Sequence, residues 1–170
     1  MRRVLRWTML VLACGFVLVQ FSRPARTNPV TDETRALEAH VNVSPEVKAI
    51  LARACDDCHS NRTHWPWYSH VAPVSWTVAD HVRHGRRRMN FSDWARYDAR
   101  EADYLLGDIC KTAKQGIMPL NSYTLIHRNA FLSAADVGAL CAWTQTARQQ
   151  LAARGRKQES DARSQKPEGN

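Results

Sequence analysis

Five consecutive residues, Cys55-Asp56-Asp57-Cys58-His59, constrain this chain more than any other stretch. They close a run in which Val47, Ile50, Leu51, Ala54, Cys55 and Cys58 recur at helical spacing. The spacing predicts an amphipathic helix with two thiols about one turn apart, and an adjacent imidazole, near its C-terminal end. Ser44-Pro45-Glu46 marks its start: a hydroxyl N-cap, proline at the first helical position, and an acid near the positive end of the dipole.

The remaining pattern is helical too. A second helix is expected over Ser75–His84, ended by Gly85. A third has Ala102, Leu105, Leu106, Ile109, Cys110 and Ala113 on its apolar face and is closed by Gly116. Ser133 with Asp136 resembles a capping box for a last helix with Val137, Leu140, Cys141 and Thr144 on one face. Alternating runs are too brief for a sheet and no repeat is visible, so the fold class is all-α, with the domain at residues 44–150. A length of 170 residues accommodates one such domain with tails.

The net charge of +8 suggests nucleic acid or an anionic membrane until the charges are located. Residues 1–30 hold five arginines and no acid, residues 148–170 hold six bases and three acids, and the segment between has thirteen of each sign. The domain itself is neutral, which removes the case for nucleic acid. Arg2, Arg3 and Arg6 precede an apolar run from Trp7 to Phe21, the order found in export signals. No small-x-small site follows the run. Residues 1–21 are therefore expected to be an uncleaved signal anchor, a transmembrane helix whose bases keep the N-terminus inside and place the domain in the periplasm. Lipidation at Cys14, after Val11-Leu12-Ala13, is the alternative. Residues 22–43 read as a polar, proline-containing linker. Residues 151–170 read as a disordered tail, since beyond Arg154 nothing larger than alanine is apolar.

C-x-x-C-H is the attachment spacing of c-type haem. Two thiols a turn apart can reach the two vinyl groups on one porphyrin edge, and the neighbouring imidazole can serve as proximal ligand. A disulfide, a zinc site and a thioredoxin-like redox pair are the rivals; the last two lack a second ligand pair and a βαβ context. The expected cofactor is one covalently attached haem c, held by Cys55 and Cys58 with His59 on the iron, in a small cytochrome c-like helical domain. Met118, in Gly116-Ile117-Met118-Pro119, is the candidate distal ligand, because a Met beside Pro after a helix-ending Gly presents a thioether from a rigid loop. His127 ranks second, with His64, His70, His81 and His84 behind it.

The segment from Trp65 through Trp67 and Tyr68 to Trp76 is dense in aromatics and proline and suits a jacket around a flat apolar macrocycle; core packing is the plainer use. Arg86, Arg87 and Arg88 offer a propionate clamp, a docking patch for an acidic partner, or a solvated face. Cys110 and Cys141 sit on apolar helix faces and form either a disulfide or two buried thiols.

Cys55-x-x-Cys58-His59-Ser60-Asn61, the Trp65-Pro66-Trp67-Tyr68-Ser69-x-Val71-Ala72-Pro73 segment, Gly85-Arg86, Asn90, Trp94, Met118-Pro119, Tyr123 and His127 together resemble the bacterial haem-binding domain family of exported single-CxxCH proteins. The resemblance covers most of residues 20–147. It implies covalent haem in a periplasmic or membrane-anchored domain, with Arg86, Asn90, Trp94 and His127 in the family pattern. The functional expectation is electron transfer between periplasmic or membrane redox partners, with a peroxidase-like or gas-sensing haem holding its sixth position open as the alternative.

Overall fold

The computed structural model of the chain describes residues 1–164. All regular elements among them are helical, as expected. They are α1 (Arg2–Val19), α2 (Leu37–His40), α3 (Pro45–Ala54), α4 (Asp56–His59), α5 (Val74–Arg88), α6 (Ala99–Lys114), α7 (Asn121–Ile126) and α8 (Ala134–Ser164), with 3-10 turns at Glu33–Arg35, Trp67–His70, Phe91–Arg96 and Arg128–Ala130.

The start signals act as the sequence predicts. The Ser44 side chain accepts from the Val47 N–H, with Pro45 in the first turn of α3. Asp98 and Glu101 form a reciprocal capping box on α6. Ser133 and Asp136 do the same at α8, each accepting from the other's backbone N–H. Helix α6 packs along α8, α3 crosses α8, and the core between them holds Ile50, Leu51, Leu105, Leu106, Leu140 and Trp143. Cys110 of α6 and Cys141 of α8 form a disulfide, which resolves the two alternatives for this pair.

Four boundaries differ from the sequence reading. Helix α3 stops at Ala54, and Cys55 (φ −128°, ψ −40°) breaks the axis, so Cys58 and His59 lie on the separate turn α4. Helix α5 continues through Gly85 to Arg88. Gly85 does not end the helix; its missing side chain lets α4 approach. An added Cβ there would lie 2.3 Å from the Cys58 carbonyl oxygen and 2.9 Å from its carbon.

The segment expected to be a linker is strapped to the domain. The Gln20 side chain donates to the Ala72 carbonyl and accepts from the Ala72 N–H. The Trp76 indole donates to the Ser22 carbonyl, Arg26 to that of Ser69, and the Asn28 amide to that of Thr63. Leu37 and Val41 are core residues, and the Trp143 indole donates to the Asn42 carbonyl. The tail expected to be disordered is helical to Ser164; residues 165–170 lie outside the described residues. Alanine, arginine, lysine and glutamine extend a helix already nucleated by packing, without any apolar face of their own.

The expected transmembrane helix also needs correction. The large apolar side chains of α1 are exposed except the half-buried Val19, but no helix among the described residues is long and apolar enough to cross a membrane. Trp7–Val19 rises only about 20 Å at 1.5 Å per residue, against roughly 30 Å of hydrocarbon, and Arg2, Arg3 and Arg6 occupy the turns before it.

Candidate functional site

Helices α4, α5 and α7 enclose a cleft of about 500 Å³ with Met118 and Pro119 on its rim. Its walls are largely apolar, with Val74, Val78 and Val82 from α5 opposite Leu120 and Ile126. Cys55, Cys58, His59, Met118 and Tyr68 all line it. Cys55 and Cys58 are free thiols. Burial, with the neighbouring Asp56 carboxylate and the other thiol, pushes Cys55 up to about 12. Burial and the Asp57 carboxylate push Cys58 up to about 11. Both favour the protonated form at neutral pH, since a thiolate there would be a buried charge.

His59 is held in one tautomer. Its Nδ1 lies 3.1 Å from the Met89 carbonyl oxygen, which can only accept, so Nδ1 carries the proton and Nε2 keeps its lone pair. Burial lowers the His59 pKa and favours the neutral ring. Met89 is fixed in turn: its N–H donates to the Gly85 carbonyl as the cap of α5. Asn90 caps the next turn, accepting from the Ser92 N–H while its amide donates to Asn61. This second layer explains Asn90 and Trp94 without contact to a ligand; Trp94 is buried in the core. A histidine oriented through Nδ1 by a backbone carbonyl is the usual preparation of an imidazole for metal.

Met118 is delivered by the end of α6. Gly116 takes φ +64°, the Gly116 N–H donates to the Ala113 carbonyl, and the Ile117 N–H donates to that of Thr112. These are the paired bonds of a Schellman ending. A third bond, Met118 N–H to the same Thr112 carbonyl at 3.3 Å, turns the residue towards the cleft.

The two residues between the cysteines face different ways. Asp57 lines the cleft, accepting from the Tyr123 hydroxyl at 2.6 Å and from the His64 N–H at 2.8 Å. Burial and this carboxylate push the Tyr123 phenol well above its ordinary value, so it stays the donor. Asp56 turns to Glu38, Lys48 and Arg62; burial and the Glu38 charge raise it to about 6. His127 stacks on Tyr123 at 4.2 Å and 13°, and its Nε2 lies 2.6 Å from the Tyr68 hydroxyl. Tyr123 belongs to the resemblance pattern but had no role assigned from the sequence, and Asp57 was not picked out; their contact across two helices gives both a place in the site.

Three expected contributors stand elsewhere. Trp67 is 79% exposed, on the outside of its turn. Trp65 lies behind the cleft wall and donates to the Asn28 side chain. Arg86 is no clamp for a group in the cleft, since its donors go to the Ser60 and Thr27 carbonyls and to the Asn28 and Thr63 side chains. The jacket reading fails for both tryptophans because neighbouring residues on a turn project to opposite sides.

The donor set fits haem: two unoxidised thiols, a nitrogen with a free lone pair, a thioether and an apolar cleft of ligand size. No curated protein and no solved structure matches the chain. The model of the haem-binding domain family matches residues 14–146, most of the chain and all of the cleft, and the chain therefore belongs to the haem-binding domain family.

Proposed function

We propose that the domain carries one haem c, attached through thioethers at Cys55 and Cys58, and works as a single-haem electron carrier. The observation that supports this most is the arrangement at the helix break: two free thiols and an imidazole held through Nδ1, all lining one cleft. Haem, when bound, supplies the one-electron iron couple. The chain's part is to hold His59 by its Nδ1 proton, present the Met118 thioether from its Schellman loop, and exclude water with α5 and α7. Met118 is preferred to His127 as the distal ligand because His127 already commits Nε2 to Tyr68. Thioether coordination would raise the potential relative to a bis-histidine site. A peroxidase-like haem needs acid–base and polarising groups at the open position, and His64, His84 and Arg86 are the candidates, the two histidines lining the cleft. Arg86 is spent on neutral acceptors, and the His64 side chain is 96% exposed, which leaves that alternative weaker support.

The proposal includes export. A disulfide at Cys110–Cys141 accords with an oxidising compartment, and the basic-then-apolar order of α1 accords with an export signal; in this reading the exposed apolar side chains between residues 4 and 21 rest in the periplasmic surface of the inner membrane and do not cross it. Redox partners in that compartment are the expected contacts. Covalent haem staining after maturation tests the core of the reading. Stain should vanish in Cys55→Ala/Cys58→Ala, and Met118→Ala should abolish the near-infrared Met–iron band while keeping the stain. Stain that survives loss of both thiols refutes covalent attachment; a ferric protein that is high-spin, and whose reduced form binds CO rapidly, refutes the electron carrier in favour of the enzyme.

A further inference from the structure

Helix α5 has a second face that the site above does not use. Positions 74, 78, 81 and 85 line the haem cleft, whereas 79, 83, 86 and 87 line a groove on the other side of the helix. This groove encloses about 460 Å³ between Arg83, Arg86, Arg87, Arg96 and the strap around Thr27. No carboxylate lines it.

The charge there is uncompensated. Arg83 pairs with Asp80 at 2.6 Å, but among the described residues Arg86, Arg87 and Arg96 have no ion-pair partner. Arg86 is half-buried and donates only to neutral oxygens. Arg96 donates to the Arg86 and Arg87 carbonyls at 3.2 Å, which ties its guanidinium to the end of α5. Among the described residues the Arg87 side chain, which is exposed, makes no hydrogen bond, and its donors face no partner there. Three guanidinium groups around a concavity, two of them fixed by neutral bonds, form a positive field suited to a group with several charged oxygens. The groove's strap wall is the chain that leaves α1, and Arg23 and Arg26 continue the positive charge along it.

We propose that this groove binds a phosphate group, and that its occupant is the headgroup of an anionic lipid. The second part rests on the membrane-attached reading of α1. A headgroup suits the site better than an acidic protein surface because the guanidinium groups surround a concavity beside the strap that leaves α1.

Phenylglyoxal labelling of the haem-loaded full chain, read by mass spectrometry, tests both parts. In nanodiscs of phosphatidylglycerol, Arg87 and Arg96 should label about five-fold more slowly than in phosphatidylcholine, as expected for a site held several-fold above its dissociation constant, with exposed Arg100 and Arg128 unchanged. Arg87→Gln, which breaks no bond within the protein, should remove the protection of Arg96. Protection by inorganic phosphate in phosphatidylcholine discs, with none added by phosphatidylglycerol, keeps the phosphate site and overturns the lipid. Equal protection by chloride at matched ionic strength, or protection by polyglutamate and not phosphate, overturns the site. If the chain does not sediment with membranes, the attachment reading fails alone, because phosphate protection in detergent still decides the groove.

Discussion

Replacing Gly85 by alanine probes the contact on which the cleft depends. In an ordinary helix interior the change would stabilise by about 1 kcal/mol, through the better propensity of alanine. Here the new Cβ would meet the Cys58 carbonyl oxygen at 2.3 Å and its carbon at 2.9 Å, and these are backbone atoms that cannot rotate away. Ordinary contact begins near 3.4 Å, so α4 must retreat by roughly 1 Å. Overpacking of this kind costs about 1–3 kcal/mol, and a backbone obstacle puts it in the upper part of that range. The net expectation for Gly85→Ala is a loss of about 1–2 kcal/mol, or roughly 2–8 °C in Tm for a chain of this size. Since α4 carries Cys58 and His59, covalent haem yield should fall with it. Gly138, inside α8 with nothing within 4 Å of an added Cβ, is the control: Gly138→Ala should stabilise by up to about 1 kcal/mol. Urea unfolding followed by circular dichroism, with haem quantified per mole of protein, measures both. A Gly85→Ala protein as stable as the parent and fully haem-loaded would refute the reasoning.

Other perturbations follow from the same structure. Cys110→Ala/Cys141→Ala opens a loop of separation 31 and should lower unfolding free energy by roughly 3–4 kcal/mol, while reductant should no longer affect Tm. Gly116→Ala places a side chain at φ +64° with open space around it; the cost should be about 1 kcal/mol, and the Met–iron band should weaken as the Schellman turn relaxes. Asp136 accepts from Arg53 at 2.6 Å and from Ser133, and these bonds lower its pKa from 3.8 to about 2. A depressed carboxylate stabilises the fold above its unfolded pKa and loses that contribution as pH falls through the folded one. The shift sets an upper bound of about 2.5 kcal/mol, and partial exposure of both side chains reduces it to about 1–2. Asp136→Asn should therefore destabilise by that amount at pH 7, with the difference from the parent closing between pH 4 and pH 2.

The parts legible in the sequence were those with local causes. Ser44-Pro45, Ser133 with Asp136, and Gly116 act on their own neighbours, and each does what its residue type requires. The cleft members Cys55, Cys58, His59 and Met118 were legible because their chemistry is rare. What escaped was set by distant contacts. Gly85 has the same backbone freedom whether it ends a helix or admits a neighbouring strand of chain, and only the position of α4 distinguishes the two. Arg86 can satisfy a carboxylate or four neutral oxygens equally well, and the strap decides. Leu37 and Val41 lie among polar residues with no periodicity to reveal that the Phe91–Arg96 turn would pack against α2 and that both would join the core.

The strap has a mechanical consequence. A domain on a flexible leash samples many orientations, and a partner meets its reactive edge at random angles. Bonds at Gln20, Ser22, Arg26 and Asn28 remove that freedom here, because α1 and the domain share a hinge with almost no slack. Whatever holds α1 thereby sets the tilt and height of the cleft as well as its position, and a partner fixed in the same frame would find the cleft already aimed.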